Sequence, residues 1–245
     1  MRAPIRVLPG TDVLLGPEAA GGYWSLLFAT PFYQKSMPDA DTMNGEILSI
    51  LDAERRHTSQ SSLAARSLVG NGWRTDDHFL QRSAPAIRRL HAFLLAQARI
   101  AVAYGQPRPV DVELKLFGWA VSLAGGGRQT EHVHPHASWS GVYYVHVGDY
   151  SDVGGSKAGC LRVVDPRPAA HMVTLGPNDA QFIEAREICP RAGLMVLFPS
   201  FLSHGVNPLP DGGGERVAIA FNVHAAERTL RRSVSVGGRG ERTEQ

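Results

Sequence analysis

Hydrophobic residues recur with a helical period in the first hundred positions of the chain. Apolar residues between Met43 and Leu51 fall on one face of a helix, and Asp39 or Asp41 is well placed to cap its N-terminus. Upstream of this helix, the apolar segment 28–33 predicts a short strand. The pattern therefore predicts a strand followed by an amphipathic helix.

A second segment with the helical period lies between residues 83 and 100. Ser83 can act as its N-cap, and Pro85 suits the first turn, where a missing backbone N–H costs no hydrogen bond. Gly105 and Pro107 mark its end. The predicted apolar stripe consists of Ile87, Leu90, Leu94 and Ile100.

From residue 110 onward the period changes from about 3.6 to 2, which is typical of β-strands. Turns rich in Gly, Pro or Asp separate the strands, such as those at 125–127 and 211–214. Many short strands between such turns are typical of an antiparallel barrel or jelly roll. The predicted strands begin near Val112 and then occupy residues 140–147, 160–164, 180–184, 194–198 and 217–223.

These elements predict one mainly β (α+β) domain over residues 1–225. A helical part at about 35–105 would support a β core at about 110–225. Residues 226–245 lose the period and carry five arginines, which predicts a flexible tail. A chain of 245 residues could also hold two domains, but the order of the motifs described below favours one.

Composition and charge exclude several classes of function. The formal net charge is +2, which is too small to indicate a nucleic-acid or membrane partner. The chain has neither a membrane-spanning apolar run nor the apolar region of a signal peptide, so we expect a cytoplasmic location. Cys160 and Cys189 could pair in principle, but two cysteines are too few for a disulfide framework.

Three of the ten histidines occupy alternate positions, at His132, His134 and His136. In an extended strand these residues point to one face. Neutral imidazoles on one face can converge on a cation such as Fe, Zn, Cu or Ni. A polar loop or a solvated strand face would give the same pattern, so both interpretations stay open at this point.

A fourth histidine, His204, lies about seventy residues after these three and follows the apolar strand 194–198. We expect it to supply a third ligand from the opposite sheet, at the mouth of a β-basket. Three protein ligands leave coordination positions open, as chemistry with a substrate or O₂ requires. A capping or core role is the alternative for this histidine.

Arg216 lies at the head of the last apolar strand. Burial of an arginine is costly unless the guanidinium pairs with an anion, and its planar group binds a carboxylate through two parallel hydrogen bonds. Beside a metal site, Arg216 is therefore a candidate carboxylate anchor. By itself it could equally be an exposed arginine at a strand entrance.

The order of these residues resembles the 2-oxoglutarate–Fe(II) oxygenases, in particular a bacterial and phage branch of that superfamily. The resemblance covers roughly residues 25–225 and depends on the combined string of motifs. The matching motifs are His132-x-His134-Pro135, Ser140-Gly-Val-Tyr-Tyr144, Asp165-Pro-Arg167, Phe198-Pro-Ser-x-x-x-His204-Gly-Val and Glu215-Arg216-x-x-Ile219-x-Phe221-Asn222.

The resemblance implies a double-stranded β-helix (jelly-roll) core, a mononuclear Fe(II) and 2-oxoglutarate as co-substrate. His132, His134 and His204 would be the catalytic metal ligands, with His134 in the place of the usual Asp or Glu. His136 is a reserve ligand, because His134 and His136 could instead form the binding pair. Arg216 would bind the far carboxylate of 2-oxoglutarate.

Further residues are expected beside the co-substrate. Tyr143 and Tyr144 face opposite sides of their strand, so only one can reach into the basket, and the resemblance favours Tyr144. Asn222 lies six residues from Arg216 and shares its strand face, so it is a candidate for the same pocket. The polar segment 128–130, on the approach to the histidines, is predicted to form a lid.

The resemblance implies an oxidoreductase that uses O₂ to hydroxylate a C–H bond of a small metabolite, an amino acid or a peptide side chain. Desaturation or ring formation on such a substrate is also open. One alternative is a cupin-like three-histidine dioxygenase or isomerase that does not use 2-oxoglutarate. The other is a metal-free binding module. No nucleic-acid or membrane partner is expected, and a homodimer is compatible with the sequence.

Overall fold

The computed structural model describes residues 28–57, 68–104, 111–149, 157–167 and 184–227. Within these ranges the chain forms two α-helices and eleven β-strands. The helices are α1 (Ala40–His57) and α2 (Pro85–Ala103). The strands are β1 (Tyr33–Ser36), β2 (Leu68–Val69), β3 (Gly72–Arg74), β4 (Val112–Leu123), β5 (Arg128–His132), β6 (Trp139–His146), β7 (Leu161–Val164), β8 (Ala185–Ile188), β9 (Leu194–Pro199), β10 (His204–Val206) and β11 (Arg216–Glu227).

The strands form two antiparallel sheets. The larger sheet has six strands in the order β1-β9-β6-β11-β4-β3, and the smaller has five in the order β2-β5-β10-β7-β8. Buried residues of the two sheets pack against each other, as Tyr144 and Ala218 of the larger sheet do with Leu161 and Val163 of the smaller. The predicted jelly-roll class, with two helices beside a mainly β core, is confirmed.

Both helices cover the outer face of the six-stranded sheet. Met43 and Ile47 of α1 pack with Leu90 of α2 against Tyr143 and Ile219 of the sheet. Since successive side chains of a strand alternate between faces, the neighbours of Tyr143 and Ile219 point toward the smaller sheet. One face of the large sheet thus packs against the helices and forms a core with them. The other face points toward the smaller sheet and can line a site.

The helices agree with the predicted periodicity, with local corrections. Helix α1 begins directly after Asp39, and Asp41 lies in its first turn. The cap of α2 is Ala84, not Ser83, and Ile100 is 54% exposed. Ile100 is six residues from Leu94, which places it about 120°, a third of a turn, around the helix from Leu94 and off the buried stripe. The small residues Ala98 and Ala101 complete that stripe instead, and the predicted stop signals at 105 and 107 lie outside the described residues.

Five of the predicted strands correspond closely to β4, β6, β7, β9 and β11. The predicted strand at 28–33 is wrong, because β1 begins only at Tyr33; Phe28 has a positive φ of 60°, and Pro31 has no N–H to donate. Most of the predicted strand at 180–184 lies outside the described residues, and β8 follows it. Strand β11 ends at Glu227, so it includes the first two residues of the predicted tail.

None of the described helices is long and apolar enough to span a membrane.

Candidate metal and co-substrate site

Three histidines converge between the two sheets. His132 ends β5 and His204 begins β10, and the two residues are direct partners in the antiparallel ladder. His134 follows two residues after the end of β5. One potential ligand atom from each of the three side chains lies within 4.8 Å of the others, so the three rings can share one ion.

Two details of this geometry correct the predictions. His132 and His204 belong to the same five-stranded sheet, not to opposite sheets. His134 lies in a turn beyond β5 and does not share a strand face with His132. Its backbone N–H donates to the carbonyl of Ser200 at 3.1 Å, and its own carbonyl accepts from Ala137 at 3.2 Å. The contact with Ser200 attaches this turn to the segment that precedes His204.

Backbone carbonyls orient two of the three imidazoles. Nδ1 of His132 lies 2.8 Å from the carbonyl oxygen of Thr130, and Nδ1 of His204 lies 2.9 Å from that of Leu202. A carbonyl only accepts, so each Nδ1 carries the proton. In the neutral ring Nε2 then keeps its lone pair, which is the form that a metal binds.

His134 is held by side chains instead. Asn222 places its amide nitrogen 3.3 Å from His134 Nδ1, and its Oδ1 accepts a hydrogen bond of 2.9 Å from Ser140. The Ser140 hydroxyl also lies 2.9 Å from that of Ser200. Asn222 was predicted to bind the co-substrate with Arg216; it contacts a histidine of the cluster. The sequence indicated its strand face but not its partner.

Burial keeps these imidazoles neutral. It lowers the pKa of His134 from 6.5 to about 4, and the nearby His132 lowers it further as a second cause. Burial also lowers the pKa of His204 to about 3, against a smaller opposing effect of the Leu202 carbonyl. Both rings are therefore neutral near neutral pH and can bind a cation through the unprotonated nitrogen without first losing a proton.

Aromatic packing behind the cluster was not predicted. The Phe198 ring lies 4.8 Å from His204, measured between ring centroids, and Phe32 stacks on Phe198 at 5.6 Å. Phe32 precedes β1, so the N-terminal segment supports a histidine about 170 residues later. The apolar composition of segment 28–33 was visible in the sequence, but the residue it packs against was not.

Arg216 is buried at the start of β11, with 2% of its surface exposed. Its guanidinium carbon lies 4.9 Å from the centre of the Tyr144 ring. The Nε of Arg216 and the Tyr144 hydroxyl are both buried and have no hydrogen-bond partner among the described residues. Buried polar groups are rarely left in this condition, so two donors and a positive charge face a position where an anion would satisfy them.

The two tyrosines have different surroundings. Tyr143 faces the helices, where its hydroxyl donates to Asn44 at 2.8 Å. Tyr144 faces the smaller sheet and contacts Arg216. Of the two alternatives left open by the sequence, only Tyr144 is beside the arginine.

The histidine cluster and Arg216 line one pocket. It encloses about 430 Å³, including space open to solvent at its mouth, and Trp119, Gln129 and Leu161 contribute to its walls. Segment 128–130 belongs to strand β5 and does not form the predicted lid. Gln129 instead faces the pocket, with its amide nitrogen 3.4 Å from Nε2 of His132.

Other residues of the predicted motifs lie outside this arrangement. His136 is exposed and is not part of the three-histidine cluster. Asp165 and Arg167 form an ion pair with each other at 2.6 Å.

The residues present fit a divalent iron and a dicarboxylate. Backbone hydrogen bonds to Nδ1 put the lone pairs of two imidazoles on Nε2, and one ligand atom from each of the three histidines is within reach of one ion. The two unpartnered donors at Arg216 and Tyr144 match a carboxylate. Within a double-stranded β-helix, this arrangement of three histidines and a buried arginine fits the class of mononuclear metal oxygenases.

Comparison with known proteins finds one family model that matches part of the chain. Residues 118–222 match the family described as "Putative 2OG-Fe(II) oxygenase", and this range includes the three histidines and Arg216. The matched part of the chain is a 2-oxoglutarate/Fe(II) oxygenase domain, for which Fe(II) and 2-oxoglutarate are the cofactors. No curated protein matches the sequence.

Solved structures agree with the fold. A prolyl-4-hydroxylase from Pseudomonas putida is 17% identical, with a TM-score of 0.51 and coverage of 80% of this chain and 92% of that one. A prolyl hydroxylase from Trichoplax adhaerens, in complex with a hypoxia-inducible-factor peptide, is 17% identical with a TM-score of 0.54 and coverage of 79% and 83%. HygX from Streptomyces hygroscopicus, with nickel and 2-oxoglutarate bound, is 17% identical with a TM-score of 0.50 and coverage of 80% and 83%.

Proposed function

We propose that this oxygenase hydroxylates a C–H bond of a small metabolite, an amino acid or a peptide side chain, with iron held by His132, His134 and His204. The observation that carries the assignment is the pocket that contains both the three-histidine cluster and the buried Arg216. Iron and 2-oxoglutarate together supply the activation of O₂ and the oxidising power for the C–H bond, while 2-oxoglutarate is converted to succinate and CO₂.

The three histidines would act through their Nε2 atoms. The carbonyls of Thr130 and Leu202 hold His132 and His204 in the required tautomer. For His134 to bind through Nε2, its Nδ1 must carry the proton and needs an acceptor. A half-turn of the Asn222 amide presents Oδ1 to His134 and leaves the nitrogen to donate to the Ser140 hydroxyl, so every contact is kept.

Arg216 and Tyr144 would orient 2-oxoglutarate by its far carboxylate. The guanidinium offers a fixed fork of donors, and the Tyr144 hydroxyl adds a further donor beside it. Their burial excludes water, which strengthens each hydrogen bond to the carboxylate. The keto acid end of the molecule would then point along the pocket toward the histidines.

The substrate class follows from the pocket and from charge. Trp119, Val121 and Val206 give the pocket a partly apolar wall. The net charge of +2 offers no general attraction for a polyanion. Recognition would therefore depend on contacts inside the pocket, which suits a small molecule or one side chain of a peptide.

The first experiment measures 2-oxoglutarate turnover. Purified protein with Fe(II), 2-oxoglutarate and O₂ should release succinate, at a low rate without substrate and faster with it. Iron-dependent O₂ uptake without 2-oxoglutarate consumption would instead support the cupin-like alternative. Failure to retain iron under anaerobic, iron-replete conditions would support a metal-free binding module.

The second experiment tests the residues. In anaerobic calorimetry of the Fe(II)-loaded protein, Arg216→Ala should lower 2-oxoglutarate affinity by about 100-fold or more, because it removes a buried charge pair. Its iron affinity should be unchanged. Arg162→Ala is a matched control, since Arg162 binds Glu131 and Glu184 at the surface. Loss of iron with unchanged 2-oxoglutarate affinity in Arg216→Ala would contradict the assignment.

A further inference from the structure

The two cysteines of the chain are in direct contact. Cys160 immediately precedes β7, and Cys189 immediately follows β8. Leu161 and Ile188 are partners in the β7–β8 ladder, so the same register, carried one residue further, places the cysteines opposite each other. Their Sγ atoms are 3.2 Å apart, and both are free thiols.

The backbone geometry of this position suits a disulfide. Directly opposed residues of an antiparallel pair have Cα atoms about 4.5–5.5 Å apart. A disulfide requires a Cα separation of about 4.4–6.8 Å, so the bond needs no rearrangement of the strands. The sulfur atoms need to approach by only about 1 Å.

The two thiols differ in accessibility and in reactivity. Cys189 is exposed, whereas Cys160 is 1% exposed. Burial raises the pKa of Cys160 to about 12, and its hydrogen bond to Cys189 raises it further. Cys160 is therefore a protonated thiol near neutral pH, and its burial prevents direct reaction with an oxidant in solution. Cys189 is the thiol that a dissolved oxidant can reach.

The pair lies beside the co-substrate pocket. Leu161, the neighbour of Cys160, lines that pocket. Cys160 is also close enough to Arg216 for the guanidinium charge to act on its thiol. A covalent bond between the cysteines would link β7 to β8 at the wall of the pocket.

We propose that Cys160 and Cys189 are a thiol oxidation site that forms a reversible intramolecular disulfide with hydrogen peroxide. In the first step the Cys189 sulfur takes one oxygen from H₂O₂, which gives a sulfenic acid and releases water. In the second step the Cys160 sulfur attacks the Cys189 sulfur, the S–O bond breaks, and the hydroxide leaves as water with the Cys160 proton. The two thiols together lose two electrons, and one peroxide gains them and is reduced to two water molecules.

The test uses the full chain without metal, in the presence of a chelator, so that iron cannot react with the peroxide. Because the chain has only two cysteines, thiol counting is unambiguous. Peroxide treatment should remove both free thiols, lower the mass of the monomer by two hydrogens, and yield one cross-linked peptide pair after proteolysis. A dithiol reductant should restore both thiols. Since none of these measurements needs turnover, they are independent of the proposed oxygenase function.

Two single variants separate the roles of the thiols. In Cys160→Ser, Cys189 should stop at a sulfenic acid that a dimedone probe captures. In Cys189→Ser, the buried Cys160 should stay reduced under the same treatment. The proposal is overturned if the wild-type protein keeps both thiols, forms disulfides only between chains, or oxidises Cys189 further without bridging.

Discussion

The amide of Asn222 lies 3.3 Å from Nδ1 of His134, and it is the last member of a hydrogen-bonded series that starts at Ser200 and passes through Ser140. Ser200 also accepts the backbone N–H of His134. The position of His134 thus depends on two strands of the larger sheet and on the turn before β10. These hydrogen bonds orient His134, which lies outside the strands, as the backbone carbonyls orient His132 and His204 within them.

Replacement of Asn222 by leucine should lower Fe(II) affinity by about 10- to 100-fold, because the partner that orients a ligating histidine is lost. Asn222→Asp keeps an oxygen acceptor for the His134 N–H and should restore most of that affinity. Anaerobic metal titration measures both. Asn207→Leu is a suitable control, since the Asn207 amide binds the backbone of Lys157 and no histidine. Equal iron affinity in Asn222→Leu and wild type would argue against this role.

Removal of the Tyr144 hydroxyl should weaken 2-oxoglutarate binding by about 10-fold or more, the usual effect of losing a hydrogen bond to a charged group. The metal-free protein should not become less stable in Tyr144→Phe, because this hydroxyl has no partner among the described residues. Calorimetry and urea unfolding provide the two readouts.

The matched variant Tyr143→Phe should behave in the opposite way. It leaves the buried Oδ1 of Asn44 without its donor, which should lower the free energy of unfolding by about 1–3 kcal/mol. Its 2-oxoglutarate affinity should be that of wild type. If the two variants exchanged these effects, the assignment of the two faces of β6 would be wrong.

Gly205→Ala should reduce iron affinity strongly. A Cβ at this position would lie 2.8 Å from the carbonyl oxygen of Gln129 and 3.2 Å from the backbone nitrogen of Glu131. Backbone atoms cannot rotate away, so β10 would have to shift from β5 and separate His204 from His132. Gly45→Ala is the matched control, because its Cβ would meet nothing within 4 Å. It should stabilise α1 by about 0.5–1 kcal/mol in urea unfolding and leave iron binding unchanged.

Stability of the metal-free protein should fall as pH falls from about 7 toward 4. The folded-state pKa values of His134, about 4, and His204, about 3, are below the ordinary value of 6.5. Between these values the unfolded chain binds more protons than the folded one, so acid favours unfolding by about 1.4 kcal/mol per pH unit for each proton. Urea unfolding at pH 7, 6 and 5 measures the slope. His134→Gln should reduce it, and an unchanged slope would count against buried neutral His134.

Much of the fold could be predicted because it depends on local patterns. The period of 2 after residue 110 reports which side chains are buried, and it located β4, β6, β9 and β11. The helical period before residue 110 could not exclude Ile100 from the stripe of α2, because an apolar residue is compatible with either face of a helix until its neighbours are known. Strand β5 was missed for a related reason: its residues Arg128–His132 are polar, since they face a pocket or solvent and not the core.

Residue type and order alone determined the chemistry that we propose for this protein: imidazoles for a metal, an arginine for a carboxylate, and short strands to enclose them. Tertiary structure decided which of the candidate residues lie next to each other. Tyr144, not Tyr143, meets Arg216 because the helices cover the other face of the sheet. Cys160 meets Cys189 because of the β7–β8 register. These choices depend on contacts between residues far apart in the chain, and the spacing of neighbours along the sequence carries no information about them.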